Sequence, residues 1–147
     1  MPDFLEFTVD KFTFQVATDR FYTDAGVWAK PEGALVRIGI SDFLQQRSGD
    51  VAFAEVRPVG TRLAQDDDIA VIETIKVDIS LGSPISGTIT EVNPALEAAP
   101  EVINQDPYDE GWLALVEASD WEAEHANLFG PQAYFERIKK QADEETR

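Results

Sequence analysis

Turn residues interrupt this chain at short intervals, and that punctuation limits its fold more than any other feature. Pro31-Glu-Gly33, Gly49-Asp50, Pro58 and Gly60, Asp66-Asp-Asp68, Gly82-Ser-Pro84 and Asn93-Pro94 mark the breaks. Between them, Lys11–Val16 sets Phe12, Phe14 and Val16 against Lys11, Thr13 and Gln15, the period of two of a half-buried strand. Ala34–Ile40, Val51–Val56, Ile69–Glu73, Val77–Leu81, Ile85–Val92 and Trp112–Glu117 read as further strands. Many short strands joined by turns predict a mainly β barrel or sandwich, not a parallel sheet with crossover helices.

Helices are few. Ser41-Asp42 can cap a short one over Phe43–Arg47 that Gly49 closes. Residues 94–109 should be loop with short helical turns, and Ser119–Gly130 contains a helix start. Gly130-Pro131 opens a C-terminal helix over 130–147, with Tyr134, Phe135 and Ile138 as its apolar stripe. One domain is expected over 1–147, with an extra strand segment in 1–20. Trp28 and Trp112 are expected as core anchors, and Gly87 as a turn or bulge residue.

Composition narrows the function. Twenty-eight acids against twelve lysines and arginines give a net charge of -16, a field that repels phosphate backbones and anionic lipid. Nucleic acid and membrane are therefore not expected as partners; the charge suits a solvated surface or steering onto basic enzymes. No apolar run is long enough to span a bilayer, and the acidic start MPDFLEFTVDKF lacks the basic region of an export signal, so a cytoplasmic monomer is expected. With no cysteine, any sulfur chemistry needs a borrowed group. The one histidine, His125, is expected as a surface or packing residue. Neither a nucleophile nor an acid–base pair stands out, so the chain is not expected to be an enzyme.

One residue breaks the pattern. Lys76 lies between the strand-like runs Ile69–Glu73 and Val77–Leu81, with too few residues between them for anything but a tight hairpin. A lysine at a hairpin tip can simply blunt an exposed edge. It can also present an amine for modification on a rigid base.

The stretch Ile69-Ala-Val-Ile-Glu-Thr-Ile-Lys-Val77, with Ser83-Pro-Ile-Ser-Gly-Thr-Ile-Thr-Glu-Val-Asn93 after it, resembles the biotinyl/lipoyl-carrier family. Ile75 and Val77 stand where biotin carriers have Met on both sides of the lysine, which favours lipoyl. Phe21-Tyr-Thr23 with Trp28, Val36–Asp42 with Gly49-Asp-Val51, and Asn104–Leu113 are similar, in order, to the glycine-cleavage H-protein branch. The resemblance covers roughly residues 20 to 140. It implies a flattened lipoyl-type barrel-sandwich hybrid with short helices and a C-terminal helix. Lys76 would carry lipoic acid in amide linkage as a swinging arm, and Glu73 and Gly60 would be read by lipoate ligase or lipoyl-transfer enzymes. By residue type alone, Glu73 could equally be a cross-strand charge partner and Gly60 a turn residue with positive φ.

Two departures bear on the partners. The branch usually has His-Glu before the tryptophan, where this chain has Ala25-Gly-Val-Trp28, and it has an acid four positions after the lysine, where this chain has Ser80. They lean the reading toward a carrier of sulfur intermediates in heterodisulfide-reductase-like sulfur oxidation, with a carrier of the aminomethyl group for glycine cleavage enzymes as the alternative. An unmodified interaction module of the same fold is the second alternative.

Overall fold

The alternating segments pair into three antiparallel sheets in the computed structural model, which describes residues 3–145. The chain begins with a hairpin, β1 (Phe4–Val9) and β2 (Phe12–Ala17), followed by β3 (Phe21–Tyr22), β4 (Val27–Glu32), β5 (Leu35–Ile40) and helix α1 (Asp42–Ser48). Then come β6 (Val51–Val56), β7 (Arg62–Leu63), β8 (Asp68–Thr74), β9 (Asp78–Gly82) and β10 (Gly87–Val92). Helices α2 (Ala95–Ala98) and α3 (Val102–Gln105) precede β11 (Ala114–Ala118), and α4 (Trp121–Glu124) and α5 (Pro131–Glu145) close the fold.

The six-stranded sheet runs β3-β4-β5-β11-β10-β7 and the three-stranded sheet β6-β8-β9. Between them lies a core that includes Ile38, Ile69, Ile72, Ile85, Ile89 and Val116, each almost fully buried. At about 1.5–3 kcal/mol per large aliphatic side chain, that burial is what holds the two sheets face to face. The hydrogen-bond ladders do not run around the molecule, so the expected barrel is open. The six-stranded sheet ends at β3 and β7, which have two residues each and are too short to extend a ladder to another sheet.

A second cluster joins the N-terminal hairpin, α1 and α5. Phe7, Phe14, Tyr22, Trp28, Phe43, Tyr134 and Ile138 are its large members. Tyr22 and Tyr134 stack with centroids 4.3 Å apart and planes 3° apart, and the Tyr134 hydroxyl bonds the Ser41 hydroxyl at 2.8 Å. Burial raises the Tyr134 phenol to about 12, and burial raises Tyr22 as well, so both rings stay neutral. Arg20, 2% exposed, lies over the Trp28 ring at 4.5 Å and donates to the Asp19 carboxylate and the Tyr108 carbonyl, as a buried cation must.

The structure corrects several expectations. The extra N-terminal segment is a two-stranded hairpin rather than one strand, because Phe7 and Phe14 face each other and share the aromatic cluster. Residues 1, 2, 146 and 147 of the expected terminal segments lie outside the described residues. β4 runs through Pro31, which was expected to start a turn; Pro31 is exposed and next to the strand's end, where the missing N–H costs little. Gly87 is neither turn nor bulge. An added Cβ there would stand 2.2 Å from the Glu117 carbonyl oxygen, so glycine is required by the closeness of β11. Trp28 is the anchor expected, fully buried and donating to the Ile40 and Pro107 carbonyls. Trp112 is only half-buried, beneath the Arg37 guanidinium at 4.6 Å.

Candidate functional site: a lysine at a hairpin tip

Pairing of Glu73 with Asp78 leaves Thr74 to Val77 to reverse the chain between β8 and β9. The Thr74 amide donates to the Val77 carbonyl at 2.8 Å. Its hydroxyl accepts from the amides of Lys76 (3.2 Å) and Val77 (3.0 Å) and donates to the Val77 carbonyl. One hydroxyl thus uses its donor and both lone pairs to fix the turn that presents Lys76. Thr74 was not singled out from sequence, although a hydroxyl residue opening a turn is the available signal.

The tip is tied down from one side. The Ile75 amide donates to the Asp50 carbonyl at 3.3 Å, just beyond α1. Gly49, the residue that closes α1, has φ 90°, and an added Cβ there would stand 3.4 Å from Lys76 Cε. The lysine stem therefore lies along a helix end made flat by glycine. Asn104 secures that end: its Nδ2 donates to the Gln45 side chain and the Gly49 carbonyl, and its Oδ1 accepts from the Val51 amide. This cross-brace from α3 was also missed. Its only trace in the sequence is an asparagine within the late block Asn104–Leu113.

Lys76 itself is exposed, and none of the ion pairs among the described residues involves it. Its neighbours Ile75 and Val77 are 76% and 48% exposed, an apolar collar around an accessible amine. An enzyme can approach the tip without unfolding anything. The residues fit acylation by a cofactor with a carboxyl group: the amine is accessible, its stem is supported, and no partner has to be displaced.

Behind the tip, the outer face of the three-stranded sheet carries two cross-strand rows. The nearer is Phe53, Glu73 and Asp78, and the farther is Glu55, Val71 and Ser80. Glu73 opposes another acid, not a cation, so the charge-partner role considered above is absent. Like charges facing each other are locally unfavourable. Gly60 is in the loop after β6 with φ 93°, the turn geometry expected of it. That loop lies past the β6 end where Val56 pairs Ala70, at the far end of β8 from the lysine. The structure brings Glu73 to the tip and leaves Gly60 away from it.

Both sequence departures have local explanations. Gly26 has φ 95°, and a side chain there would press on Leu44, the Tyr134 hydroxyl and Ser41, each about 3 Å away. The turn 23–27 is shaped by α5, and it meets the N-terminal end of α1 while Lys76 meets the other. Ser80 and Asp78 share the outer face, so an acid is kept there two residues nearer the tip. His125 packs as expected, stacked on Trp121 and edge-on to Phe21. Among the described residues, no cluster of His, Asp and Glu could hold a metal, and no helix is long and apolar enough to cross a membrane.

The family model of the glycine cleavage H-protein matches residues 20–141. The glycine cleavage system H protein of Salinibacter ruber is 44% identical over 119 residues, 80% of this chain and 94% of that protein. That of Thermus thermophilus is 39% identical over 127 residues, 86% of this chain and 98% of that protein. Among solved structures, a glycine cleavage system H protein from Mycobacterium marinum superposes with a TM-score of 0.76 at 29% identity, covering 84% of this chain and 99% of that one.

Proposed function

We propose that this chain, which belongs to the glycine cleavage H-protein family, carries a lipoyl group in amide linkage on Lys76 and delivers it in turn to the glycine cleavage enzymes. Proteins of the family are non-catalytic carriers with lipoate on a lysine, and they work with partner enzymes. The observation that carries the assignment is the placement of Lys76: exposed, unpaired, and fixed by Thr74 at the tip of a rigid two-residue turn. Bound there, the cofactor supplies the sulfur chemistry that a chain without cysteine lacks.

Each protein group has a separate task. Acylation replaces the ammonium with a neutral amide, which lets the stem leave water for an apolar channel in a partner. Thr74 and the Ile75–Asp50 hydrogen bond hold the attachment point still, so the freedom of movement belongs to the arm. Glu73 and Asp78 mark the hairpin neck for a basic acylating enzyme, and Ile75 and Val77 offer the apolar contact. Gly60, whose positive φ shapes the loop at the far end of β8, is the second position that a lipoylating enzyme reads. Tethering raises the local concentration of the carried group at each partner.

Of the two partner systems expected from sequence, the relatives named above support glycine cleavage and give nothing to heterodisulfide-reductase-like sulfur oxidation. The test is direct. Incubated with lipoate, ATP and a lipoate ligase, the protein should gain one lipoyl mass, located on the peptide that contains Lys76. The loaded protein should then support turnover by glycine decarboxylase and aminomethyltransferase; a chain that stays at its bare mass sinks the proposal.

A further inference from the structure

β6 is an outer strand of the three-stranded sheet, with β8 on one side and, among the described residues, no strand on the other. Its ladder shows which of its backbone groups are spent. The Arg57 amide donates to the Ile69 carbonyl, and the pairs Glu55–Val71 and Phe53–Glu73 continue that ladder in steps of two. In an antiparallel pair the residues in between turn their N–H and C=O groups the other way. Ala54 and Val56 therefore present two donors and two acceptors to the outer side, and no loop or side chain among the described residues takes them up. Edge strands are commonly blunted by lysine, proline or a bulge. β6 has neither of the two residues, and its one irregularity comes before Phe53.

A groove of about 480 Å³ runs along this free edge. Ala54 and Val56 line one side of it, and Val92, Pro94 and Leu96 the other. Asn93 fixes the second side: its Nδ2 donates to the Glu110 and Trp112 carbonyls, and its Oδ1 accepts from the Ala95 amide that opens α2. Phe53, 48% exposed, and the acids Glu55 and Glu97 complete the lining. No cation lines the groove, and the chain as a whole carries a net charge of -16. Unspent ladder groups between apolar walls, with acids beside them, suit an added strand of opposite charge.

We propose that the free edge of β6 docks an extended segment of a partner protein in which aliphatic residues alternate with lysine or arginine. The segment adds antiparallel to β6 as a fourth strand, its aliphatic residues opposite Ala54 and Val56 and bonded to their backbone groups. Successive side chains point to opposite faces of the sheet. The aliphatic ones enter the space before Val92 and Leu96, and the basic ones stand on the outer face beside Phe53 and Glu55. An acidic segment is repelled by the same charges, so recognition selects sign as well as pattern. The bound segment covers residues 53–56 and leaves the 74–77 turn open. Docking holds a partner next to the hairpin that carries Lys76, which raises the local concentration of the tip at that partner. The site does not depend on the acylation proposed above.

The experiment titrates the full, unmodified chain with a blocked hexapeptide of alternating valine and lysine, followed by 1H–15N NMR. Saturable shift changes should appear at the amides of residues 53–57 and 92–97, with solvent exchange of the Ala54 and Val56 amides slowed several-fold. A peptide with glutamate in place of lysine should bind several-fold more weakly. N-methylation of the valine amides should abolish binding, and N-methylation of the lysine amides should not. Ala54→Pro removes one outward donor and leaves the ladder to β8, so it should also weaken binding several-fold. Should that variant fail to fold, the methylated valine peptide tests the same hydrogen bond on the intact protein. No saturable change, shifts spread over the whole acidic surface, equal binding of the glutamate peptide, or full binding after methylation at valine overturns the docking site. Loading of Lys76, read by intact mass, decides the carrier reading separately.

Discussion

Two hairpins in this molecule each place a lysine at a two-residue turn, and they are built by different physics. In β1–β2 the turn is Asp10-Lys11, closed by Val9 facing Phe12, with Asp10 in the left-handed region at φ 54°. That hairpin is held by what its inner face buries: Phe7 and Phe14 pack on each other and on Phe43 and Phe135. In β8–β9 the turn is Ile75-Lys76, and one threonine hydroxyl makes three hydrogen bonds across it. Its neck carries facing acids and its tip bare aliphatic side chains. The first hairpin is fastened by packing. The second is fastened within its own turn and by one backbone bond to Asp50, which leaves only the lysine side chain free to move, as a handle requires.

The largest expected contrast is chemical. Lys76→Arg should abolish the lipoyl mass gain with an unchanged circular dichroism spectrum, because a guanidinium is not acylated at neutral pH. Lys11→Arg should leave the gain complete; loading at Lys11 would erase the distinction between the hairpins. A smaller contrast is energetic. Phe14→Ala should lower unfolding stability by about 3–5 kcal/mol in a urea titration, as for other buried phenylalanines. Thr74→Val should lower it by about 1 kcal/mol, the net worth of turn hydrogen bonds, yet slow acylation, with Thr74→Ser restoring the rate. If the two substitutions cost the same, packing and turn bonding are not divided as described. The smallest effect is at the neck: Glu73→Gln removes one of two facing acids, so stability should rise slightly while the ligase loads Lys76 more slowly. A faster rate would show that Glu73 is not read.

Much of this was legible beforehand for a local reason. The spacing of Ile69–Glu73 and Val77–Leu81 left no room for anything except a tight turn, so the position of Lys76 followed from strand pairing alone. The cap on α1 was equally readable, since Ser41 accepts from the Leu44 amide as its residue type suggests. Gly87 was misjudged because glycine in a strand has two explanations, backbone conformation or a close neighbour, and the neighbour is Glu117, thirty positions along the chain. Asn104 was part of a recognised block, but its three hydrogen bonds go to residues 45, 49 and 51, far away in sequence.

Sequence by itself determined the alternation of inward and outward side chains, the turn under Lys76 and the absence of any thiol, because each depends on neighbouring residues or on composition. Tertiary structure alone decided that the barrel stays open, that Gly60 lies far from the lysine, and that an aromatic hairpin from the first seventeen residues stands beside the tip. Those outcomes depend on which apolar faces meet across long stretches of chain, and burial carries no directional code that a local pattern could reveal.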